Sequence, residues 1–373
     1  MKKELFISCF LLLLFACNTG RKTNNLKGRD KIYEPKYAKG FSLYQKDKSL
    51  ILSVVNPWQY ASEIEINYVL KNDASPDIMN EIKIPVEKAV CMSTTHVAFI
   101  SVLGKTSSIT GVSGLKHVSD SAVNLLGKEN KIIEVGYDSN LSYESVYSLA
   151  PDVVFAYGVA GEFAAVEKKL NELGVKVVYI GEYLEDTPLG KAEWIVAMSA
   201  FFADIDTAVK IFEKIETGYE SIKETVSKTE YKPLVMMNIP YKDVWYLPGT
   251  LNYMVRFIED AGGKYIYPEN NKRESIPMSI EKAFEIAQNA DFWLIGNTPK
   301  NLEELREKDP RMADIPSFKN RKVFNSNLRD NGFGDDFWES GIVKPDIILK
   351  DLIKIFHPEL LPEYDLYYYR HLK

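Results

Sequence analysis

Four sets of residues in this chain could hold a small molecule. His96 follows Ser93-Thr94-Thr95 at the end of the apolar stretch "KAVCMS" (88–93). An imidazole beside the Thr95 hydroxyl could ligate an iron ion, or hydrogen-bond to the helix that starts there. His117, His357 and His371 do not stand at a zinc-ligand spacing from it, so a tetrahedral metal cage is not expected. Trp245 and Tyr246 end an apolar run just before Pro248-Gly249. Adjacent strand residues face opposite ways, so one of the pair is expected to stack on a ligand and the other to enter the core. Tyr157 ends a third apolar run, "DVVFAYG" (152–158). Arg273 and Arg329 are forked cations suited to carboxylate or catecholate oxygens; Arg256 lies inside a helix and is the weaker candidate. No G-x-S-x-G, GxxxxGK[ST] or H-E-x-x-H pattern is present, so the residues read as a binding site without catalysis.

Strands alternating with helices must position these groups. Residues 41–85 carry alternating and β-branched runs, "SLILSVVNPW" and "SEIEINYVL", and read as a β-hairpin or small sheet. From 86 to 186 short apolar strands alternate with helices that stop at glycines, the pattern of a parallel sheet covered on both faces. Residues 187–230 read as helices, the longer one capped by Asp206 and running to about Ser227. The α/β alternation restarts after Pro233 and continues through 231–373, with Ser279 capping one helix. In open α/β sheets ligands bind beyond the C-terminal strand ends, which gathers Thr95, His96, Tyr157, Trp245, Tyr246, Arg273 and Arg329 toward one cleft.

The N-terminus opens with Lys2 and Lys3, then an apolar run over 5–16, then Cys17. Twelve helical residues span about 18 Å, too short for a bilayer and typical of a secretory signal. Ala16-Cys17 resembles a bacterial lipobox, although Phe15 is bulkier than usual there. The resemblance implies that 1–16 is removed, that Cys17 carries the lipid anchor, and that the polar stretch 17–40 is a linker. In lipoproteins of this kind an acidic run after the cysteine accompanies export to the outer surface. None follows Cys17, which implies a periplasm-facing protein. The remaining cysteines, Cys9 and Cys91, leave no pair for a disulfide after cleavage. A net charge of −6 gives no long-range attraction for nucleic acid.

Behind that lipobox, the order of "SLAPDVVFAYG" (148–158), "LNELGVKVVYIG" (170–181), "DAGGKY" (260–265) and "SIEKAFEIAQNADFWLI" (279–295) resembles the helix-linked class of ABC-transporter substrate-binding proteins. Those proteins serve vitamin B12, haem and iron-siderophore importers. The match covers about 86 to 357. It implies two α/β lobes joined by a single long helix, a ligand cleft between them, restricted closure, and an added β region over 41–85. It also implies that Glu144 and Glu281, at equivalent helix starts, dock on an ABC permease dimer. The expected ligand is an iron chelate, either siderophore or haem, with cobalamin as the alternative; no cofactor is implied. A lipid-anchored hydrolase or a glycan-binding surface lipoprotein is the rival class. The rich supply of aromatic residues (five Trp, 22 Tyr, 18 Phe) would suit a glycan face if they spread outward, and a ligand cleft if they converge.

Overall fold

The computed structural model describes residues 28–158, 163–267, 270–296 and 298–373. Cys17 and the apolar run before it lie outside the described residues. Three sheets and two linking helices make the frame.

The N-terminal sheet has five strands in chain order: Asp30–Tyr33, Phe41–Lys46, Ser49–Val55, Glu65–Lys71 and Glu81–Lys83. Leu43, Leu52, Val54, Leu70 and Ile82 are fully buried, so one face of the pleat is the core face. That face packs on the linking helix, with the Phe41 and Trp194 rings 5.0 Å apart. The sheet is larger than a hairpin and begins inside the stretch expected to be linker. "DKIY" has no alternating pattern because it is an edge strand with exposed side chains. What fixes the chain after it is a pair of buried carboxylates. Glu193 accepts from the backbone N–H of Lys36 (2.8 Å), Tyr37 (2.8 Å) and Ala38 (2.7 Å). Glu185 accepts from those of Lys39 and Gly40, each at 3.0 Å, and from Trp194 Nε1 at 2.9 Å.

The first lobe is an all-parallel sheet in the order Val177–Tyr179, Val153–Ala156, Ala89–Cys91, Ile109–Val112, Ile133–Glu134. The chain winds one way from Ala89–Cys91, then returns to its other side as Val153–Ala156. That reversal opens a crevice past the ends of these two strands. The helix Thr94–Val102 starts there, capped by Ser93 and not by Thr94 or Thr95.

The linking helix Pro188–Ala200 is buried along almost its whole length. After a turn in which Ala203 has φ 53, the longer helix Ile205–Glu224 follows, about 30 Å long at 1.5 Å per residue. Asp204 holds its cap position and Asp206 sits in the first turn. Its buried stripe of Ala208, Phe212, Tyr219 and Ile222 packs on the preceding helix and on Pro345–Phe356.

The second lobe carries Lys264–Tyr265, Leu234–Met237, Phe292–Ile295 and Val323–Asn325 in parallel, closed by the antiparallel edge Arg370–His371. Val244–Leu247 does not join this sheet. Asn238 turns the backbone at φ 63, and Val244–Leu247 pairs instead with Ile276–Ser279 in a two-stranded ribbon. Asp351 anchors the C-terminal tail by accepting from Tyr364 Oη (2.7 Å) and from the backbone N–H of Tyr367 (2.9 Å), Tyr368 (2.7 Å) and Tyr369 (2.9 Å).

Candidate ligand-binding cleft

A cavity of ≈ 350 Å³ lies between the lobes at the first-lobe crevice. Thr95, Tyr157 and Tyr183 line it from the first lobe, and Lys191 from the linking helix. Tyr253, Phe257, Phe337 and Trp338 close it from the second lobe. Six aromatic residues thus meet in one cleft, while Tyr60, Tyr147, Tyr231, Tyr241 and Phe333 stand exposed outside it. The size falls within the about 300–1,000 Å³ of small-molecule sites, and the mix of apolar walls with few polar groups is also theirs.

Local bonding holds these walls. Ser93 Oγ accepts from the Thr95 N–H at 3.2 Å, and Thr95 Oγ1 donates to Glu182 Oε1 at 2.6 Å. The Tyr183 hydroxyl donates to the Gly158 carbonyl, with its ring 6.4 Å from that of Tyr157 in an edge-on arrangement. Phe337 and Trp338 stand edge to face at 4.8 Å. Lys191 Nζ donates to the Glu182 carbonyl at 3.2 Å and sits 4.5 Å from the Tyr253 ring centroid. Burial lowers the Lys191 pKa, against the opposing pull of the Glu182 and Glu185 charges.

The expected site residues divide. Thr95 and Tyr157 reach the cavity. His96 does not: it is fully buried in the first-lobe core, its ring edge-on to Phe155 at 6.4 Å. Neither of its ring nitrogens has a hydrogen-bond partner, and desolvation lowers its pKa. One residue along a helix from Thr95 is a turn of about 100°, which takes His96 from the cavity face to the core, so its role as an iron ligand falls. Trp245 is also fully buried, in the second-lobe core, donating to the Met237 carbonyl at 2.9 Å and packed 5.6 Å from Trp293. Tyr246 points the opposite way and is half-exposed, but it lies on the ribbon and does not line the cavity. Arg329 is held by Asp336 at 2.8 Å and stacked on Tyr367, so it is no free anion clamp of this cavity. Among the described residues no group of three or more His, Cys, Asp or Glu comes together as a metal cage.

Arg273 belongs to a neighbouring cavity of ≈ 520 Å³. Loop residues 58–61 of the N-terminal sheet, Tyr183, Asn252 and Arg273 border it. Arg273 pairs with Asp186. Trp58 bridges Gly158 and packs 5.3 Å from Tyr179. The β addition thus reaches the cleft and shares Tyr183 with the first cavity. Glu144 and Glu281 are exposed, each in the first turn of its helix.

A polar seam joins the lobes beside the cavity. Glu339 accepts from the backbone N–H of Ser119 (2.6 Å) and Asp120 (2.8 Å). Asn331 Nδ2 donates to the Val118 carbonyl at 3.0 Å. Gly334 lies so close to the His117 carbonyl that an added Cβ would meet it at 2.5 Å. Burial pushes the Glu339 carboxyl up to about 7, against the two N–H donors that favour its charge. Between the usual 4.5 and about 7 the folded protein keeps a proton that the unfolded chain has lost, so this group makes stability fall as pH rises through that window. Wild type is expected to lose up to roughly 3 kcal/mol relative to Glu339→Gln across it. Denaturant midpoints of both proteins at pH 4.5, 6 and 8 check this; parallel profiles would refute it.

Sequence reading missed Lys191, Tyr183, Tyr253, Phe257, Phe337 and Trp338. One signal was present: Lys191 and Glu193 interrupt the apolar stretch "PLGKAEWIVAMSAFF", and charges on a buried helix need partners.

Two α/β lobes, a helical link and an aromatic cavity between them define a two-lobed binding protein. Residues 90–327 match the periplasmic binding protein family, and the chain belongs to it. It is 28% identical to an uncharacterized lipoprotein of Methanocaldococcus jannaschii, over 96% of this chain and 94% of that one. Its fold resembles a possible iron-binding (periplasmic solute-binding) protein of Staphylococcus epidermidis (TM-score 0.58, 19% identity, 73% of this chain and 99% of that one). It also resembles a periplasmic heme-binding protein of Roseiflexus sp. RS-1 (TM-score 0.55, 19% identity, 74% and 99%). Among the described residues no helix is long and apolar enough to cross a membrane.

Proposed function

We propose that this protein is the lipid-anchored receptor of an ABC importer, capturing a ring-bearing iron chelate, either a siderophore or haem, and handing it to the permease. The observation that carries the reading is the cavity itself, closed by aromatic side chains from both lobes. Flat rings stack on such walls, and a preassembled chelate brings its own metal ligands. The possible iron-binding protein and the heme-binding protein of similar fold support the ligand class. The adjoining ≈ 520 Å³ cavity favours a second reading, in which a larger ligand such as cobalamin spans both spaces. Glycan binding at an outer surface has less support, since six rings meet in the cleft and the exposed ones are scattered along the chain. Native mass spectrometry of the protein purified from its own host tests the choice. A retained mass of an iron chelate supports the first reading, a cobalamin mass the second, and an oligosaccharide mass rejects both.

Anchoring is part of the same proposal. Cys17→Ala is expected to move the protein from the membrane fraction to the soluble one, since stable attachment needs more than one acyl chain. A variant that still sediments with membranes would contradict the anchor.

A further inference from the structure

The cavity floor contains a cation and a hydroxyl with bonding capacity to spare. Lys191 Nζ has three N–H donors, and its one hydrogen bond among the described residues goes to the Glu182 carbonyl at 3.2 Å. Tyr253 lies against that ammonium, 4.5 Å from its ring centroid, and its hydroxyl has no hydrogen-bond partner among the described residues. Both side chains line the cavity and are partly exposed there. Glu182 also lines the cavity but is only 2% exposed; one oxygen is bound by Thr95, and Oε2 is buried without a hydrogen-bond partner. Of the two charged groups, the ammonium is the more exposed to an entering molecule.

We infer that Lys191 and Tyr253 form an anion hook at the floor of the cavity, holding a carboxylate, phenolate or catecholate oxygen of an aromatic ligand whose ring lies against Phe257, Phe337 and Trp338. This deepens the proposed function and rests on its assignment of the cavity as the ligand site. Burial lowers the Lys191 pKa, and the carboxylates of Glu182 and Glu185 work against that shift. Tyr183, whose hydroxyl is committed to Gly158, supplies an aromatic wall and no second donor.

The test uses small probes in place of a whole chelate: 2,3-dihydroxybenzoate and its neutral amide, 2,3-dihydroxybenzamide. Each is titrated calorimetrically into the wild type, Lys191→Met, Lys191→Arg and Tyr253→Phe. The hook predicts that wild type prefers the acid by at least tenfold. Lys191→Met removes the preference, Lys191→Arg keeps part of it, and Tyr253→Phe lowers acid affinity several-fold without changing that of the amide. Equal binding of acid and amide, an acid preference that survives Lys191→Met, or no binding of either probe overturns it. A parallel titration with haemin, a ferric tris-catecholate and cyanocobalamin separates the two claims. If every chelate fails while the acid preference persists, the chelate reading falls and the hook stands. If a chelate binds with no effect of Lys191→Met, the hook falls alone.

Discussion

Reversing the charge of both exposed glutamates, Glu144→Lys with Glu281→Lys, is expected to abolish uptake of the ligand while its affinity stays within a few-fold. The two residues occupy matching places. Glu144 stands in the first turn of Tyr143–Leu149, capped by Ser142, and Glu281 in the first turn of Ile280–Ala287, capped by Ser279. One lies on each lobe, and neither lines the cavity. The Glu281 carboxyl is held below its usual pKa, chiefly by its own backbone N–H and then by Ser279, so it presents a full negative charge. A carboxylate at a helix start also complements the helix dipole, and that alone would explain either residue singly. Docking across both lobes demands both at once, and swapping each for a cation turns attraction to a basic permease surface into repulsion. Uptake in a strain lacking the native protein, beside a binding titration of the purified double variant, separates the two roles. Undiminished uptake, or a parallel loss of ligand affinity, would remove the docking assignment.

The second large effect concerns the N-terminal sheet. Glu193→Ala is expected to free residues 30–40 from the linking helix and to cost roughly 3 kcal/mol or more, because buried N–H donors lose their acceptor. Glu193 is fully buried. Besides the three backbone donors of residues 36–38, Tyr33 Oη donates to it at 2.7 Å; burial first, and then the Glu193 charge, raises the Tyr33 pKa. Each lobe also keeps a cluster of its own, around Val90 and Val154 in the first and around Trp245 and Trp293 in the second, so the loss should appear first as protease cleavage within 30–40 and then as a lower melting temperature. Because the loop at 58–61 of the same sheet borders the cleft, ligand affinity should fall as well. A variant with unchanged cleavage and melting would show that the carboxylate is not what fastens the sheet.

The lobes were legible because parallel strands buried on both faces read as continuous apolar runs, as in Val153–Ala156 and Phe292–Ile295. Thr95 and Tyr157 were legible as cleft residues because they follow such strands directly. Trp245 and Tyr246 show where this stops. Alternation says that one faces inward, but not into which interior, and Trp245 enters the core because its strand leaves the main sheet for a ribbon. Trp338 and Lys191 were not legible as partners, since residues separated by most of the second lobe meet only after both lobes pack on the linking helix. Asp30–Tyr33 and Arg370–His371 are short edge strands whose existence depends on pairing and not on any local pattern.

The proposed ligand site is the aromatic cavity between the lobes. Trp338 lines it and stays 45% exposed, so it can be truncated without emptying the core. The most direct measurement is a calorimetric titration of wild type and Trp338→Ala with ferric siderophores, haemin and cyanocobalamin. At least one is expected to bind wild type, and the variant to lose about 1–3 kcal/mol, the burial of one large aromatic side chain, or roughly 5- to 150-fold in affinity. Equal affinity in the two proteins, or binding of an oligosaccharide and none of these ligands, would contradict it.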